Sequence, residues 1–277
     1  MKLFLAPLEG VSDCAFRTLC ANHGADLTFT EMIRVDSLIR GNKSTLSLLD
    51  LKNTVPTGIQ LLAVKPASAQ AFVDTFPSFN FVSPPQQINL NCGCPSPDVI
   101  RQGGGAALVK RIQRLQELVN IFRKLSLPVT LKIRTGLNVY EQKNKTYLNL
   151  VKNVDADAFI VHARHARQSS REAADWSIFE ECLLTEKHIV PNGDISEREH
   201  IAHFKQLGVK EVMIGRAAVR NPSVFSYLKG GEKKNLTQLK HEYEQLCSQY
   251  PNIPKYKENV LGYLGKETGI GSKKWLM

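Results

Sequence analysis

The sequence contains no apolar run of the roughly 18–20 residues that a membrane-spanning helix needs, so we expect no membrane contact. We also expect no secretion signal, because the opening MKLFLAPLEG carries one lysine and a short apolar run that meets Pro7 and Glu9. Six cysteines in 277 residues are too few for a disulfide scaffold. These absences favour a cytoplasmic protein with reduced thiols, and we expect it to be a monomer.

The chain has fewer acidic residues than basic ones. The chain has 26 Asp and Glu against 36 Lys and Arg, which gives a net charge of +10 and a pI near 9.3. From Arg101 to Arg134, eight basic residues face one acid, Glu117. Such a balance favours a polyanionic partner such as nucleic acid. Simple solubility explains the total charge equally well, and part of the basic stretch is expected to be the solvated face of a helix.

Short β-rich runs, continuously apolar and rich in valine and isoleucine, recur along the chain as strands buried on both faces do. They are LFLAP (3–7), LTFTE (27–31), TGIQLL (57–62), QINLN (87–91), VTLKIR (129–134), AFIVHA (158–163), HIVPNG (188–193) and EVMIGR (211–216). Eight strands alternating with helices predict an α/β fold of the (β/α)8 TIM-barrel type. A doubly wound open sheet is the alternative, and it is disfavoured because no G-x-G-x-x-G follows the first run.

Helix-like segments separate most of these runs. They include residues 13–24, 106–125 and 196–208, the last with Ser196 as N-cap and Glu199 at N3. From residue 229 the pattern changes to two or three helices without β-rich runs, with Pro251 and Pro254 between them. We therefore predict a barrel domain over residues 1–230 and a small all-helical domain over residues 231–277.

Polar residues stand at the predicted strand ends, where barrel enzymes carry their chemistry. They are Pro7, Glu9, Glu31, Gln60, Asn91, Cys92, Cys94, Lys132, Arg134, His162, Arg164, Asn192, Asp194, Gly215 and Arg216. Each alone has a structural explanation, but together they predict an active site. The glycines of PNGDIS and IGRAA, with Arg216, favour a phosphate site after the last two strands, although tight turns explain the glycines equally well.

The pair Cys92 and Cys94 admits three interpretations. Zinc needs about four ligands, and Cys14 and Cys20 have the wrong spacing to complete a site. A disulfide between the pair would close a small, strained ring. A thiol acting as a proton donor fits better, because Cys94 precedes Pro95 in a rigid turn at the barrel mouth, with Arg101 and Lys132 expected nearby. Cys92 is expected to pack inward.

Taken in order, the motifs APLEGVSDCAFR, TEMIRV, IQLL, NCGCPS, LKIRTG, VHAR, PNGDI and VMIGRAAVRNP resemble those of the tRNA-dihydrouridine synthase family, over residues 3–225. Glu9, Arg34, Cys92 and the triple glycine at 103–105 look like the branch that modifies uridine 16 of tRNA.

The resemblance implies an FMN-dependent enzyme that uses NADPH, or NADH, and reduces the 5,6 double bond of a tRNA uridine. Hydride passes from the flavin N5 to C6, and Cys94, the matching catalytic acid, gives a proton to C5. The implied flavin-binding residues are Pro7, Leu8, Glu9, Gln60, Lys132, His162, Asn192, Gly193, Asp194, Gly215 and Arg216. The implied tRNA-contacting residues are Arg34, Asn91 and Arg134. In the basic C-terminal region, Lys255 and Lys257 are candidate phosphate contacts.

The sequence departs from the family pattern at three places. Asn89 replaces the usual Asp, with a possible loss of a local contact, and His165 replaces the usual threonine. The C-terminal helical region is expected to be shorter than usual. Two alternatives stay open: an FMN-dependent reductase of a free pyrimidine or another activated alkene, and a flavin-containing tRNA-binding protein with weak catalysis.

Overall fold

A computed structural model describes residues 1–250 and 253–266, and its framework is a barrel of parallel strands. The strands are β1 (Lys2–Leu5), β2 (Thr28–Phe29), β3 (Ile33–Arg34), β4 (Thr57–Leu62), β5 (Ile88–Cys92), β6 (Val129–Arg134), β7 (Ala158–His162), β8 (Ile189–Asn192) and β9 (Glu211–Ile214). They pair in the order β1-β9-β8-β7-β6-β5-β4-β2, and a bridge between Phe4 and Leu27 closes the ring. The predicted (β/α)8 barrel is confirmed.

The second predicted strand, residues 27–31, is shorter in the structure: only β2 lies within those bounds, and a further short strand, β3, follows it. Both pair with β4. Thr30 lies between them and accepts the Gln60 N–H with its side-chain Oγ1 at 3.0 Å. A hydroxyl thus takes the place of a backbone carbonyl in the ladder. The break leaves the next residue, Glu31, free to turn its side chain toward the loop after β1.

Helices cover the outside of the barrel and follow it. They are α1 (Cys14–Asn22), α2 (Val35–Ile39), α3 (Lys43–Leu46), α4 (Pro66–Thr75), α5 (Pro97–Arg101), α6 (Ile112–Arg123), α7 (Val139–Lys143), α8 (Thr146–Asn153), α9 (Ile178–Leu183), α10 (Arg198–Gln206), α11 (Arg216–Arg220), α12 (Val224–Leu228), α13 (Leu236–Gln249) and α14 (Pro254–Tyr263). Two 3-10 segments lie at Phe76–Ser78 and Gly105–Lys110. Among the described helices, none is long and apolar enough to cross a membrane.

Two helix predictions were wrong in detail. The single helix predicted over residues 106–125 is a 3-10 segment followed by α6. The N-cap of α10 is Glu197, not Ser196, and His200 replaces Glu199 at N3. The His200 Nδ1 accepts the Glu197 N–H at 3.3 Å, which completes a capping box one residue later than predicted.

The C-terminal helices α13 and α14 pack against the barrel. The Phe16 and Tyr243 rings meet edge-on with centroids 6.4 Å apart, and the His23 Nε2 lies 2.7 Å from Glu242. Val260 of α14 is fully buried in the same hydrophobic core. Helices after residue 230 therefore agree with the sequence, while a domain boundary there stays a prediction. Residues 251–252 and 267–277, which were assigned to that domain, lie outside the described residues.

Candidate active site

Most of the residues predicted to bind a cofactor line one cleft at the C-terminal face of the barrel. It contains about 510 Å³ of space, part of it open to solvent. Its lining residues are Ala6, Pro7, Leu8, Lys132, His162, Arg164, Asn192, Gly193, Asp194, Gly215 and Arg216. All of these except Ala6 and Arg164 were predicted to bind the cofactor. Of the predicted set, Glu9 and Gln60 do not line the cleft.

Strand register explains why these side chains meet. Arg134 is paired with His162, and His162 is paired with Asn192, so three neighbouring strands end at one level. Lys132 is paired with Asn91 one level below Arg134. Because side chains two apart along a strand share a face, Lys132 and Arg134 both belong to the same face of β6.

The β8 end of the cleft is built on a charged cluster. Asp194 accepts hydrogen bonds from the guanidinium groups of Arg164 and Arg216 and, at 2.9 Å, from the Ala174 N–H. Burial alone raises the pKa of Asp194, but the Arg164 and Ala174 hydrogen bonds and the positive charge of Arg216 lower it below its usual value. Arg164 is 2% exposed and has no role in the sequence-based assignment. Its position at a strand end, in VHAR, was the available signal.

The loop after β8 is fixed in a conformation that glycine favours. Gly193 has φ of 125°, and an added Cβ would lie 3.0 Å from the Ala174 Cβ and 3.1 Å from the His162 Cδ2. The Trp176 Nε1 donates to the Gly193 carbonyl at 2.9 Å. At the β9 end, an added Cβ on Gly215 would meet its nearest neighbour, Ala6, at 3.6 Å. The loops therefore leave room beside the arginines.

The charges of the cleft fit a cofactor that carries a phosphate. Among its described lining residues, Arg164 and Arg216 are cationic, Lys132 is a further basic residue, and Asp194 is the acidic one. Arginine forks and backbone N–H groups are the donors that bind phosphate in proteins. The excess of positive charge therefore favours an anion at the β8–β9 end.

The floor of the cleft holds two basic groups with lowered pKa values. Burial, and after it the charge of Arg134, lowers the pKa of Lys132 to about 7. Burial and the surrounding cations lower the pKa of His162 well below its usual value. His162 is therefore a neutral imidazole at pH 7, while the charge of Lys132 depends on what binds next to it. An electron-rich ring edge over Lys132 favours the protonated ammonium.

A chain of side-chain amides connects the barrel interior to the loop of Cys94. Asn89 Nδ2 donates to Thr130 Oγ1 at 2.8 Å, Gln60 Nε2 donates to Asn89 Oδ1 at 2.7 Å, and Asn91 Nδ2 donates to Gln60 Oε1 at 2.9 Å. Asn89, which stands where the family commonly has Asp, supplies both a donor and an acceptor to this chain. Gln60 supports Asn91 from below, and its contact with a flavin stays a prediction.

Asn91 in turn holds the backbone of the cysteine loop. Its Oδ1 accepts the Cys94 N–H at 2.9 Å and the Gly93 N–H at 3.2 Å. Asn91 therefore positions Cys94, whatever contact it makes with a substrate. Cys92, the last residue of β5, is fully buried, so the prediction that it packs inward is confirmed.

Cys94 is half-buried and has a free thiol. Burial raises its pKa above the ordinary value, although the Ser96 N–H and the charges of Arg34 and Arg134 act in the opposite direction. The thiol is therefore protonated at neutral pH, which suits a proton donor. Of the two cations expected near the thiol, Arg101 is exposed and pairs with Asp98, and the proximity of Arg101 and Lys132 to Cys94 stays a prediction.

The triple glycine packs directly against the Cys94 loop. Gly103 and Gly105 have φ values of 80° and 54°. A Cβ on Gly105 would lie 2.5 Å from the Cys94 carbonyl oxygen and 2.9 Å from Val99 Cγ1. The Ala106 N–H donates to the same carbonyl at 3.0 Å. The glycines thus allow close approach of two backbone segments.

Replacing Gly105 with alanine should destabilise the protein by more than the roughly 1–3 kcal/mol of an unfavourable backbone conformation, because the Cβ also meets the Cys94 backbone. Urea unfolding measures the loss. Gly41→Ala is the matched control, since Gly41 has φ of 73° and no described atom within 4 Å of an added Cβ. Equal losses in the two variants would contradict the packing explanation.

The residues predicted to contact tRNA differ in their exposure and in the groups that surround them. Arg134 is 5% exposed and donates to the His165 carbonyl at 3.1 Å, so a substrate must enter the cleft to reach it. Arg34 and Lys255 are close enough to Glu9 for their charges to lower its pKa. Lys257 pairs with Glu244 of α13 at 3.6 Å.

A second cleft, with about 1050 Å³ of space including open solvent, lies beside the loops after β6 and β7. Its lysines, Lys143 and Lys145, are balanced by Glu172, Asp175 and Glu181. Its described lining contains none of the predicted site residues, and it therefore offers no comparable constellation.

Solved structures that resemble this chain confirm the fold. Morphinone reductase has a TM-score of 0.58 at 10% identity, with 95% of this chain and 91% of that chain covered. The old yellow enzyme homologue from Zymomonas mobilis has a TM-score of 0.53 at 9% identity, with 91% and 96% covered. At such low identity the likeness extends to the barrel alone.

Sequence comparisons identify the family. The tRNA-dihydrouridine(47) synthase-like protein of Homo sapiens, whose name includes NAD(P)(+), is 32% identical over 234 residues, 82% of this chain and 35% of that protein. The tRNA-dihydrouridine synthase B of Xanthomonas campestris is 30% identical over 228 residues, 81% of this chain and 68% of that protein. The chain spans 35% to 40% of the length of the human and Coprinopsis cinerea relatives. The family described as Dihydrouridine synthase (Dus) matches residues 4–266, and the chain belongs to this family.

Proposed function

We propose that the protein is a flavin-dependent tRNA-dihydrouridine synthase that reduces the 5,6 double bond of a uridine, at position 16 in the D-loop, with FMN and NADPH. The observation that carries the proposal is the protonated, half-buried Cys94, held by Asn91 beside a cleft with an excess of positive charge. The names of the relatives support the substrate class and a nicotinamide reductant.

Two groups of residues in the cleft would contact different parts of the cofactor. Arg164, Arg216 and the loop at Gly193 would hold the phosphate, and Pro7, Leu8, Lys132 and His162 would contact the ring system. The chemistry that a bound, reduced FMN supplies is a hydride equivalent for C6 of the uracil ring. Lys132, with a pKa near 7, can hold a proton at the electron-rich edge of the ring.

The substrate side belongs to Cys94 and its neighbours. Reduction at C6 places negative charge on C5 and the conjugated carbonyl, and the Cys94 Sγ–H donates its proton to C5. Arg134, almost fully buried beside the thiol, is placed to stabilise that charge. The uridine must leave its stack to reach this depth, and cationic residues at the mouth favour the approach of the RNA backbone.

The assignment of uridine 16 as the modified base depends on four sequence features: Glu9, Arg34, Cys92 and the glycines at 103–105. The name of the human relative carries position 47, so the position needs a direct test. Purified protein is examined for a yellow flavin spectrum and is then incubated with unmodified tRNA and NADPH. Mapping dihydrouridine by mass spectrometry decides the position, and product at 47 would overturn the assignment. A colourless protein that does not take up FMN would overturn the function itself.

Replacing Arg34 with alanine should weaken tRNA binding roughly tenfold, the effect of one charge-assisted contact, without loss of flavin. Arg34 lies at the mouth with Glu9 and is not part of the cleft lining. Fluorescence anisotropy of labelled tRNA measures the affinity, and absorbance at the flavin bands measures cofactor content. Arg101→Ala is the control, because Arg101 is exposed and pairs with Asp98. An unchanged tRNA affinity in Arg34→Ala would remove this residue from the RNA surface.

A further inference from the structure

We propose that helix α14 positions the β1 loop, residues 6–12, through hydrogen bonds centred on Gly10, and thereby couples flavin binding to RNA binding. The proposal rests on the proposed function, since it assumes that Pro7 and Leu8 face the flavin and that α14 meets the tRNA. Tyr256 and Asn259 would be the positioning residues on the helix, and Glu31 would be the residue that connects them to the barrel.

Gly10 is held at both of its polar backbone groups. Its N–H donates to Glu31 Oε2 at 2.5 Å, and its carbonyl accepts from Asn259 Nδ2 at 2.9 Å. Its φ of 68° lies in the left-handed region, so the turn itself favours glycine. The loop therefore has one anchor on the barrel and one on the helix, two residues after Leu8 of the cleft.

Glu31 joins the two anchors. Its carboxylate also accepts a hydrogen bond from the Tyr256 hydroxyl, and its side chain is 8% exposed. A buried carboxylate needs such donors, because desolvation without hydrogen bonds is costly. Burial raises the pKa of Glu31, and the hydrogen bonds from Gly10 and Tyr256 act in the opposite direction. The Gly10 N–H and the Tyr256 hydroxyl thus meet at one buried group.

The two positioning residues share a face of α14. Tyr256 and Asn259 are three residues apart, the spacing that puts side chains next to each other on a helix. Lys255 of the same helix acts electrostatically on Glu9, the residue before Gly10. An RNA phosphate that binds Lys255 would therefore act on α14, and the next turn of this helix holds the β1 loop through Asn259. Flavin and RNA would each favour the same docked arrangement of α14 and the β1 loop.

Apolar packing alone would dock the helix without these contacts. Val260 and Leu264 of this region are buried in the core, and neither has a polar side chain. The hydrogen bonds to Gly10 and Glu31 add a specific connection to the loop on top of that docking. Removing them should leave the fold intact and loosen the loop.

The test uses the full chain with two variants that keep the size of the side chain, Tyr256→Phe and Asn259→Leu. Glu258→Gln is the control, because Glu258 is an exposed neighbour on the same helix. Three quantities are measured: hydrogen exchange of the segment 6–12 without flavin, the dissociation constant of FMN, and the dissociation constant of tRNA with and without FMN. Thermal unfolding checks that each variant is folded.

Binding coupling is reciprocal, so FMN should tighten tRNA binding in the wild type by the factor by which tRNA tightens FMN binding. In both variants we expect faster exchange of the segment 6–12, FMN binding weaker by roughly tenfold, the effect of one lost hydrogen bond, and a coupling factor close to one. If α14 only docked on the barrel and did not position the loop, the variants would bind FMN and tRNA more weakly, but FMN would still tighten tRNA binding by the wild-type factor. The control should match the wild type.

Wild-type exchange and coupling in both variants would overturn the inference. If Asn259→Leu fails to fold, Tyr256→Phe decides, since it removes a single oxygen atom. Failure of the proposed function is seen separately: a wild type that forms no dihydrouridine, or takes up no FMN, contradicts the function. In that case the exchange of the segment 6–12 in the variants still decides whether α14 holds the loop.

Discussion

Replacing Cys94 with alanine is expected to lower the rate of dihydrouridine formation by about 10²–10⁴-fold, the usual contribution of a positioned proton donor. In the proposed mechanism the Cys94 thiol is the proton donor, and Asn91 fixes its loop by accepting the Cys94 N–H at 2.9 Å. That hydrogen bond involves the backbone, so the loop keeps its anchor in the variant. Single-turnover rates with pre-reduced enzyme isolate the step from reduction by NADPH.

The matched control is Cys247→Ser on α13, outside the cleft, which should keep the wild-type rate. Flavin content and tRNA affinity should be unchanged in Cys94→Ala, because the lost group acts on the proton and not on binding. Product formation by Cys94→Ala at the wild-type rate would remove the thiol from the mechanism. The alternative of a flavin-containing tRNA-binding protein with weak catalysis instead predicts tRNA binding that is unaffected by Cys94→Ala and no dihydrouridine formed.

The pH profile provides a second test of the same thiol. Its pKa is raised by burial, and the active form of a proton donor is the protonated one. The single-turnover rate should therefore persist as pH rises past the ordinary thiol pKa of about 8.5 and fall only at the raised value. A fall centred below that ordinary value would mean that the thiolate is stabilised in the site, which contradicts the role of acid.

The parts of the site that the sequence predicted are those that follow from periodicity. Once β5 to β9 are recognised as parallel barrel strands, Arg134, His162 and Asn192 are expected at one level, because register brings the strand ends together, and Lys132 is expected two residues below Arg134 on the same face of β6. The phosphate end could be predicted for the same reason. Gly193 and Arg216 directly follow strands whose ends face the same cleft.

The parts that escaped prediction depend on contacts between residues far apart in the chain. Arg164 became significant through Asp194, thirty residues later. Glu31 was read as a strand-end residue without a role, because its partners, Gly10 and Tyr256, are joined to it by tertiary packing. The capping box of α10 shows the same limit locally. The sequence offers two capping boxes, Ser196 with Glu199 and Glu197 with His200, and the capping rule favours the first because it has glutamate at N3. The pattern alone does not show that the helix uses the second.

Replacing Arg216 with alanine is expected to weaken FMN binding by roughly tenfold to a hundredfold, the range for a hydrogen bond to a charged group. Arg216 donates to Asp194 and, at 2.6 Å, to the Ser170 carbonyl. In the variant, Asp194 keeps its hydrogen bonds from Arg164 and Ala174. Arg164 is a poorer choice, because it is 2% exposed and also donates to the Glu172 carbonyl, so its removal disturbs the packing of the loop.

Riboflavin makes this experiment specific to the phosphate, because it has the ring system and the ribityl chain but no phosphate. Titration of apoprotein with each flavin, followed by quenching of flavin fluorescence, gives dissociation constants for the wild type and for Arg216→Ala. If the guanidinium binds the phosphate, the variant loses affinity for FMN and keeps the wild-type affinity for riboflavin. Equal losses for the two flavins would contradict this role. Arg216 would then act through Asp194 and the Ser170 carbonyl, by holding the loops of the cleft in place.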